Sequence, residues 1–566
     1  MDYPDFSNND VEHHIEEMAR RMEVTEEIPE HGLGKKIREK FHRLWKIFNL
    51  SMREKLILEP YSIEKFGAIV TFKGLNGYIE KERYWVNEPY SFVSILYHEE
   101  NHEYLYYIAE PVLSSFELMV LETVYENILD TLADYETSKE NKIKIMEKKS
   151  LELIDSYLIK IEMASLHKIL YYIKRDYIGY ERIDALTRDP NIEDISCDGS
   201  DIPLFVYHRK YQDLETNITF SSEKLDSFVI KLAQRCGKNI SFGEPLINSS
   251  LPDGSRLNAS LGKEITFRGS TFTIRKFREK AFTPGDLIKN HTYTARMLAY
   301  LWLAVENGKN IIFAGATAAG KTSTLNAISL FIPPKAKIVS IEDTHELVLH
   351  HKNWIGSVTR ESFTKNRNIN DIDMFELLRQ ALRQRPEYII VGEIRGKEGM
   401  TLFQAMNTGH TTFSTMHADD VNTVISRLEG EPINIPRVMI QALDLLCIQK
   451  IVQLGDKRVR RLDMMIEFSG IDQQSQDLRF NFIYRWNPKN DSFENEGKSF
   501  VLESIMKRRD WNEKMLESEL DNRQMILEYM AEVEMDEYDA SLLLQKYYVD
   551  PSNILKFIQN VKKKHE

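Results

Sequence analysis

The chain is 566 residues long, 42% hydrophobic and 28% charged, with a formal net charge of −13. The length exceeds what one core needs, so about three or four domains are expected. The composition excludes a disordered or membrane-embedded chain, and the acidic balance argues against broad electrostatic binding to nucleic acid. The three cysteines, Cys197, Cys236 and Cys447, lie far apart without a CxxC pair. Neither a disulfide framework nor a structural zinc site is expected, and a reducing interior is the natural compartment.

The charged segment 1–58, with a basic helical stretch at Lys35–Lys46, reads as an N-terminal arm, and its acidic start, Met1–Val24, lacks the apolar core of a signal peptide. Residues 59–178 follow as a small sheet plus helices, the expected partner-docking region. Its β-rich runs are Ala68–Phe72, Phe92–Tyr97 and Tyr104–Ile108. From Leu113 to Tyr177 the apolar positions Phe116, Met119, Val120, Val124, Ile128 and Leu129 recur at helical spacing. Residues 179–282 return to mixed structure, with turn signals at Asp189-Pro190 and Pro252-Asp253-Gly254 and a strand at Phe272–Phe277.

Thr283-Pro284-Gly285-Asp286 offers an N-cap, a first-turn proline and a first-turn acid, so a helix should run on through Met297–Val305. That run is far shorter than the ~20 residues that span a bilayer, so a membrane role would need a partner. In residues 283–467 short apolar strands (Asn310–Ala314, Ile338–Ile341, Tyr388–Val391) alternate with helices such as Lys321–Leu330, the pattern of a parallel sheet covered on both faces. Residues 468–566 read as a C-terminal helical extension, with helices at Glu513–Val533 and Tyr538–Tyr548.

Gly315-Ala316-Thr317-Ala318-Ala319-Gly320-Lys321-Thr322 fits G-x-x-x-x-G-K-[ST]. The glycines let the backbone curl so that its N–H groups surround phosphates, Lys321 reaches the β/γ-phosphates, and the Thr322 hydroxyl meets Mg²⁺. With Ser323 directly after it, the loop opens a helix whose positive end faces the anion. Two later strands end in acids: Ile338–Ile341 in Glu342-Asp343-Thr344-His345-Glu346, and Tyr388–Val391 in Gly392-Glu393-Ile394-Arg395. Carboxylates at the C-terminal ends of parallel strands converge on the edge that carries the P-loop, where one can hold Mg²⁺, directly or through water, and another can orient a nucleophile. Gly409–His417 adds His410 and His417 on a strand and its exit. They are candidates for a γ-phosphate sensor or a polar link to the acids.

Taken in order, Gly315–Thr322, Ile341–Glu346, Val391–Arg395 and Thr408–His417 resemble the four motifs of the type II/type IV secretion ATPase superfamily, over about residues 180–470. Those motifs are Walker A, aspartate box, Walker B and histidine box. Asn191–Gly199 and Leu251–Asn258 resemble its archaeal branch, and the four-cysteine zinc insertion common in the bacterial branch is lacking. The resemblance implies an α/β protein: a RecA-like P-loop ATPase domain preceded by a smaller PAS-like domain and a helical/β N-terminal region. It implies a hexameric ATPase, using ATP and Mg²⁺, that drives pilus-like filaments, secretion or an archaellum through a polytopic membrane platform protein from the cytoplasmic side. It implies Glu346 as the catalytic carboxylate, Glu393 as the Walker B acid, His410 and His417 as the histidine box, and Arg256 and Arg275 as arginines completing the site. The division of roles among Glu342, Asp343, Glu346 and Glu393 stays open. Two other readings compete: a DNA-translocating or recombinase-like ATPase, since fold alone does not settle function, and a nucleotide-gated scaffold without turnover.

Overall fold

A computed structural model describes residues 56–132, 139–157, 161–277, 281–360, 372–455, 457–472 and 474–565. The arm expected at 1–58 lies almost wholly outside these residues. The chain divides into two compact units between Lys276 and Phe277.

The first unit is built on one nine-stranded sheet. Its strands are β1 (Tyr78–Asn87), β2 (Ser91–His98), β3 (Glu103–Ala109), β4 (Ile192–Cys197), β5 (Phe205–His208), β6 (Gln212–Thr216), β7 (Leu246–Ser250), β8 (Arg256–Ser260) and β9 (Thr271–Arg275). Their spatial order is β1-β2-β3-β6-β5-β4-β9-β8-β7. A change of domain expected between residues 178 and 179 is not respected by this sheet, because β3 pairs in parallel with β6. The reason is a buried polar knot. Tyr84 and Tyr106, on β1 and β3, each donate their hydroxyl to Oδ2 of the fully buried Asp189 at 2.6 Å. The Asn191 amide donates to its Oδ1 at 2.7 Å. A buried carboxylate is stable only when so satisfied, and Asp189, whose pairing with Pro190 suggests a turn, also ties the early strands to the later ones. The run Ala68–Phe72, expected as a strand, is not one, although Ile69 and Val70 are buried. Helices Ser115–Leu132, Lys139–Ser156 and Met163–Tyr177 form a separate apolar cluster between β3 and β4 in the chain.

The second unit carries β10 (Ile311–Gly315), β11 (Ile338–Glu342), β12 (Trp354–Val358), β13 (Tyr388–Val391), β14 (Thr411–Met416), β15 (Leu445–Leu454), β16 (Lys457–Ile471), β17 (Leu478–Asn487) and β18 (Ser492–Asn495). The order is β12-β11-β13-β14-β10-β15-β16-β17-β18. From β12 to β15 neighbours are parallel, and from β15 to β18 antiparallel. Every residue of β10, β11, β13 and β14 is buried, which explains their unbroken apolar sequences. Alternation divides β10 between two cores: Ile311 and Phe313 join one, Ile312 and Ala314 the other. The boundary expected at residue 467 falls inside β16, so the start of the supposed extension belongs to the sheet.

The expected single helix after Thr283 is two, Pro284–Lys289 and Ala295–Glu306. Thr283 and Asp286 form the capping box that starts the first. Gly285 sits where a Cβ would come within 3.0 Å of the Met530 backbone, so the glycine serves close helix packing. The capping box and this close packing fix Thr283–Asp286 within the second unit. In the second helix every residue from Met297 to Val305 is buried, as a helix apolar all round must be. Its outer cover comes from helices Glu513–Glu532 and Glu537–Val549. Arg523, 2% exposed, bonds Glu306 and Glu519 and lies 4.6 Å over the Trp302 ring. Removing one member strands buried charge, so Arg523→Ala is expected to destabilise this unit by ~3–5 kcal/mol, measured as the loss in its urea unfolding transition.

Candidate functional site

The site lies where the sheet order reverses. The strand after β10 in the chain, β11, is separated from it by two strands, β13 and β14, on one side, while β15 flanks β10 on the other. Such a reversal opens a crevice at the carboxyl ends of the strands. The P-loop fills it between β10 and helix Lys321–Ser329. Gly315, at φ +152°, would place a Cβ 2.4 Å from the Gln449 carbonyl oxygen, so no other residue fits. Gly320, at φ +93°, precedes the helix and provides no side-chain cap. The first helical N–H groups thus remain available to an anion. Ala316, Thr317 and Ala318 are exposed, Ala319 is buried, and Thr322 and Ser323 are half-buried at the helix start.

Lys321 is buried, donating to the carbonyls of Gly315 (2.9 Å) and Ala316 (2.8 Å), with Nζ 3.3 Å from His417 Nδ1. His417 Nε2 is 3.2 Å from Glu393 Oε1. Burial, and after it the Lys321 charge, lowers the His417 pKa below the usual histidine value, so the ring is neutral at pH 7. A neutral ring accepts at Nδ1 from the ammonium and donates from Nε2 to the carboxylate. His417 therefore links the P-loop lysine to the acid at the end of β13.

Glu342 and Glu346 play different parts. Glu342 is 2% exposed, and its Oε1 accepts the amides of Glu346 (2.9 Å) and Leu347 (3.0 Å). Its Oε2 lies 3.4 Å from His345 Nδ1, and this interaction raises the His345 pKa. Glu342 is thus occupied in shaping the turn, and Glu346 is exposed at its end. Arg395 collects the remaining acids: it pairs with Glu393 and, at 3.2 Å, with Asp343. Glu393 first, then Asp343 and Glu346, raises its pKa. Among the described residues no cluster of three or more His, Cys, Asp or Glu could hold a metal by itself.

His410 is not part of this arrangement. It precedes β14 whereas His417 follows it, so the two sit at opposite edges of the sheet, about 20 Å apart at the strand rise. His410 Nδ1 instead faces the Thr408 hydroxyl at 3.3 Å. Sequence spacing could not reveal this without the strand boundaries.

Arg256 and Arg275, in the first unit, are direct cross-strand partners on β8 and β9, and Arg275 is paired in register with Asp194 on β4. Burial raises the Asp194 pKa despite the Arg275 charge. Arg256 Nε is buried without a hydrogen-bond partner. Like charges directly opposite one another are destabilising, and the Asp194 carboxylate in register with Arg275 offsets part of this. Sequence reasoning assigned no role to Arg395 and overlooked Arg460, whose Nε donates to the Ala318 carbonyl at 2.8 Å. The cluster of four cations in Lys457–Arg461 was the available signal.

Sheet order, P-loop and strand-end acids define a P-loop protein of RecA-like fold. Residues 207–542 match the Type II/IV secretion system protein family, and the chain belongs to that family. Residues 35–112 match a PilB3-like N-terminal domain. An uncharacterized protein of Methanocaldococcus jannaschii is 39% identical over 385 residues, 67% of this chain and 69% of that protein. The type IV secretion system protein PtlH of Bordetella pertussis is 30% identical over 231 residues, 36% of this chain and 67% of that protein. The pilus retraction motor PilT, solved with ADP, is 16% identical with a TM-score of 0.36, covering 62% of this chain and 93% of that one. Among the described residues no helix is long and apolar enough to cross a membrane.

Proposed function

We propose that this chain is an ATP-hydrolysing motor that works as a hexameric ring at the cytoplasmic face of the membrane and drives pilus-like filaments or secretion through a polytopic platform protein. The connection Lys321–His417–Glu393 carries this reading, because it joins the phosphate-binding lysine to a strand-end acid through one neutral imidazole. Lys321 and the helix N-terminus bind the phosphates, with Thr322 and Glu393 toward Mg²⁺, which supplies charge neutralisation when bound. Glu346, not held by the turn as Glu342 is, takes the proton of the attacking water. Platform docking we assign to residues 59–178, where Trp85, Val112 and Leu118 are exposed.

The test uses the two arginines of the first unit. Stabilising transition-state charge with an arginine is worth ~10³–10⁵ in rate. Arg256→Ala and Arg275→Ala should bind ATP but turn over at least ~10³-fold more slowly, and wild-type specific activity should rise with protein concentration as rings form. Full activity in both variants, independent of concentration, would contradict the ring and the arginine roles.

A further inference from the structure

The run Lys457-Arg458-Val459-Arg460-Arg461 opens β16, and its last two arginines differ sharply. Arg461 is buried and fully engaged. Its Nε and Nη2 donate to the Asp491 carboxylate at 2.7 and 2.8 Å, and its Nη1 to the carbonyls of Asn290 (3.0 Å) and Arg460 (2.9 Å). That anchor fixes the Arg460 backbone between the β17–β18 turn and the end of helix Pro284–Lys289. Arg460 itself is exposed and lies over the P-loop. Besides its bond to the Ala318 carbonyl, its Cδ is 3.3 Å from where a Gly320 Cβ would stand. Among the described residues its Nη1 and Nη2 make no hydrogen bond. Ala318 has φ +63°, a conformation residues with side chains rarely adopt unaided, so a bond to its carbonyl stabilises the loop in this shape.

We propose that Arg460 is a positioning residue of the nucleotide site: it pins Ala318 at the crest of the P-loop and holds a second fixed positive charge, from the same chain as Lys321, for the phosphates of a bound nucleotide. The proposal rests on the ATP reading of the site. An arginine suits the task because its Nε can hold the loop while the planar fork presents two further donors to an anion. Arg461 and Asp491 keep the strand that carries it in register.

The experiment measures the affinity of the intact chain for a fluorescent ADP analogue, with ATPase kinetics in parallel. Circular dichroism confirms that each variant is folded. Arg460→Ala should weaken binding by about 10-fold, the scale of one hydrogen bond to a charged group, and raise KM more than it lowers kcat. Arg460→Lys should recover most of the affinity. Arg460→Gln keeps a donor without the charge and should not recover it, and its binding should depend less on salt. Wild-type affinity in Arg460→Ala, or recovery by Gln equal to that by Lys, would overturn the role of Arg460 while leaving the ATP site intact. A wild-type chain that binds the analogue no better than Lys321→Ala would overturn the ATP reading itself, and this proposal with it.

Discussion

Replacing Lys321 with alanine is expected to lower ATP turnover by about 10³-fold and to weaken nucleotide binding in the same protein. The side chain is buried among loop carbonyls, with its ammonium 2.9 Å from the Gly315 oxygen and 2.8 Å from the Ala316 oxygen. No other cation in the loop can replace it, since Gly315–Gly320 and Thr322 are all uncharged. The substitution also removes the donor to His417 Nδ1, freeing the imidazole that touches Glu393. A phosphate-release assay over a range of ATP concentrations separates the two effects. Turnover within tenfold of wild type would mean that the P-loop is not the hydrolytic site.

Glu346→Gln should behave differently, retaining ATP affinity while losing hydrolysis by ~10²–10⁴, because an amide cannot take the proton of water. The structure sharpens the comparison with its neighbours. Glu342→Gln alters a buried group that accepts two backbone amides, so it should lower thermal stability as well as activity. Glu393→Gln weakens the contacts to His417 and Arg395, so it should disturb binding and turnover together. Only Glu346→Gln should trap bound ATP without loss of stability. Wild-type turnover in that variant would move the base to Glu393.

Much of the second unit was legible because its chemistry is local in sequence. A P-loop needs its glycines and lysine in one short run, and buried parallel strands must be continuously apolar, so Gly315–Thr322, Ile338–Ile341 and Tyr388–Val391 marked themselves. Contacts between distant segments were not legible. Asp189 looks like half of a turn signal, and only the folded chain brings Tyr84 and Tyr106 to it. The pairing of β3 with β6 follows from that, and with it the continuity of a sheet that local composition divides. His410 misled for a related reason: β14 runs its whole length between His410 and His417, so two members of one motif stand at opposite ends of a strand. Arg460 comes from a β-hairpin more than a hundred residues after the loop it touches, where a basic run reads as a solvated face.

The cover over Met297–Val305 also governs how the chain can be made. On the ribosome this strongly apolar helix emerges some two hundred residues before the helices at Glu513–Glu532 and Glu537–Val549 that bury its outer side. Glu306 waits equally long for Arg523. Throughout that interval the nascent nucleotide-binding sheet presents an unshielded oily flank, the kind of surface that chaperones hold and that drives aggregation. Synthesis of a soluble second unit is therefore completed from its far end, and a message interrupted before codon 513 would yield the entire P-loop machinery in a form prone to clump.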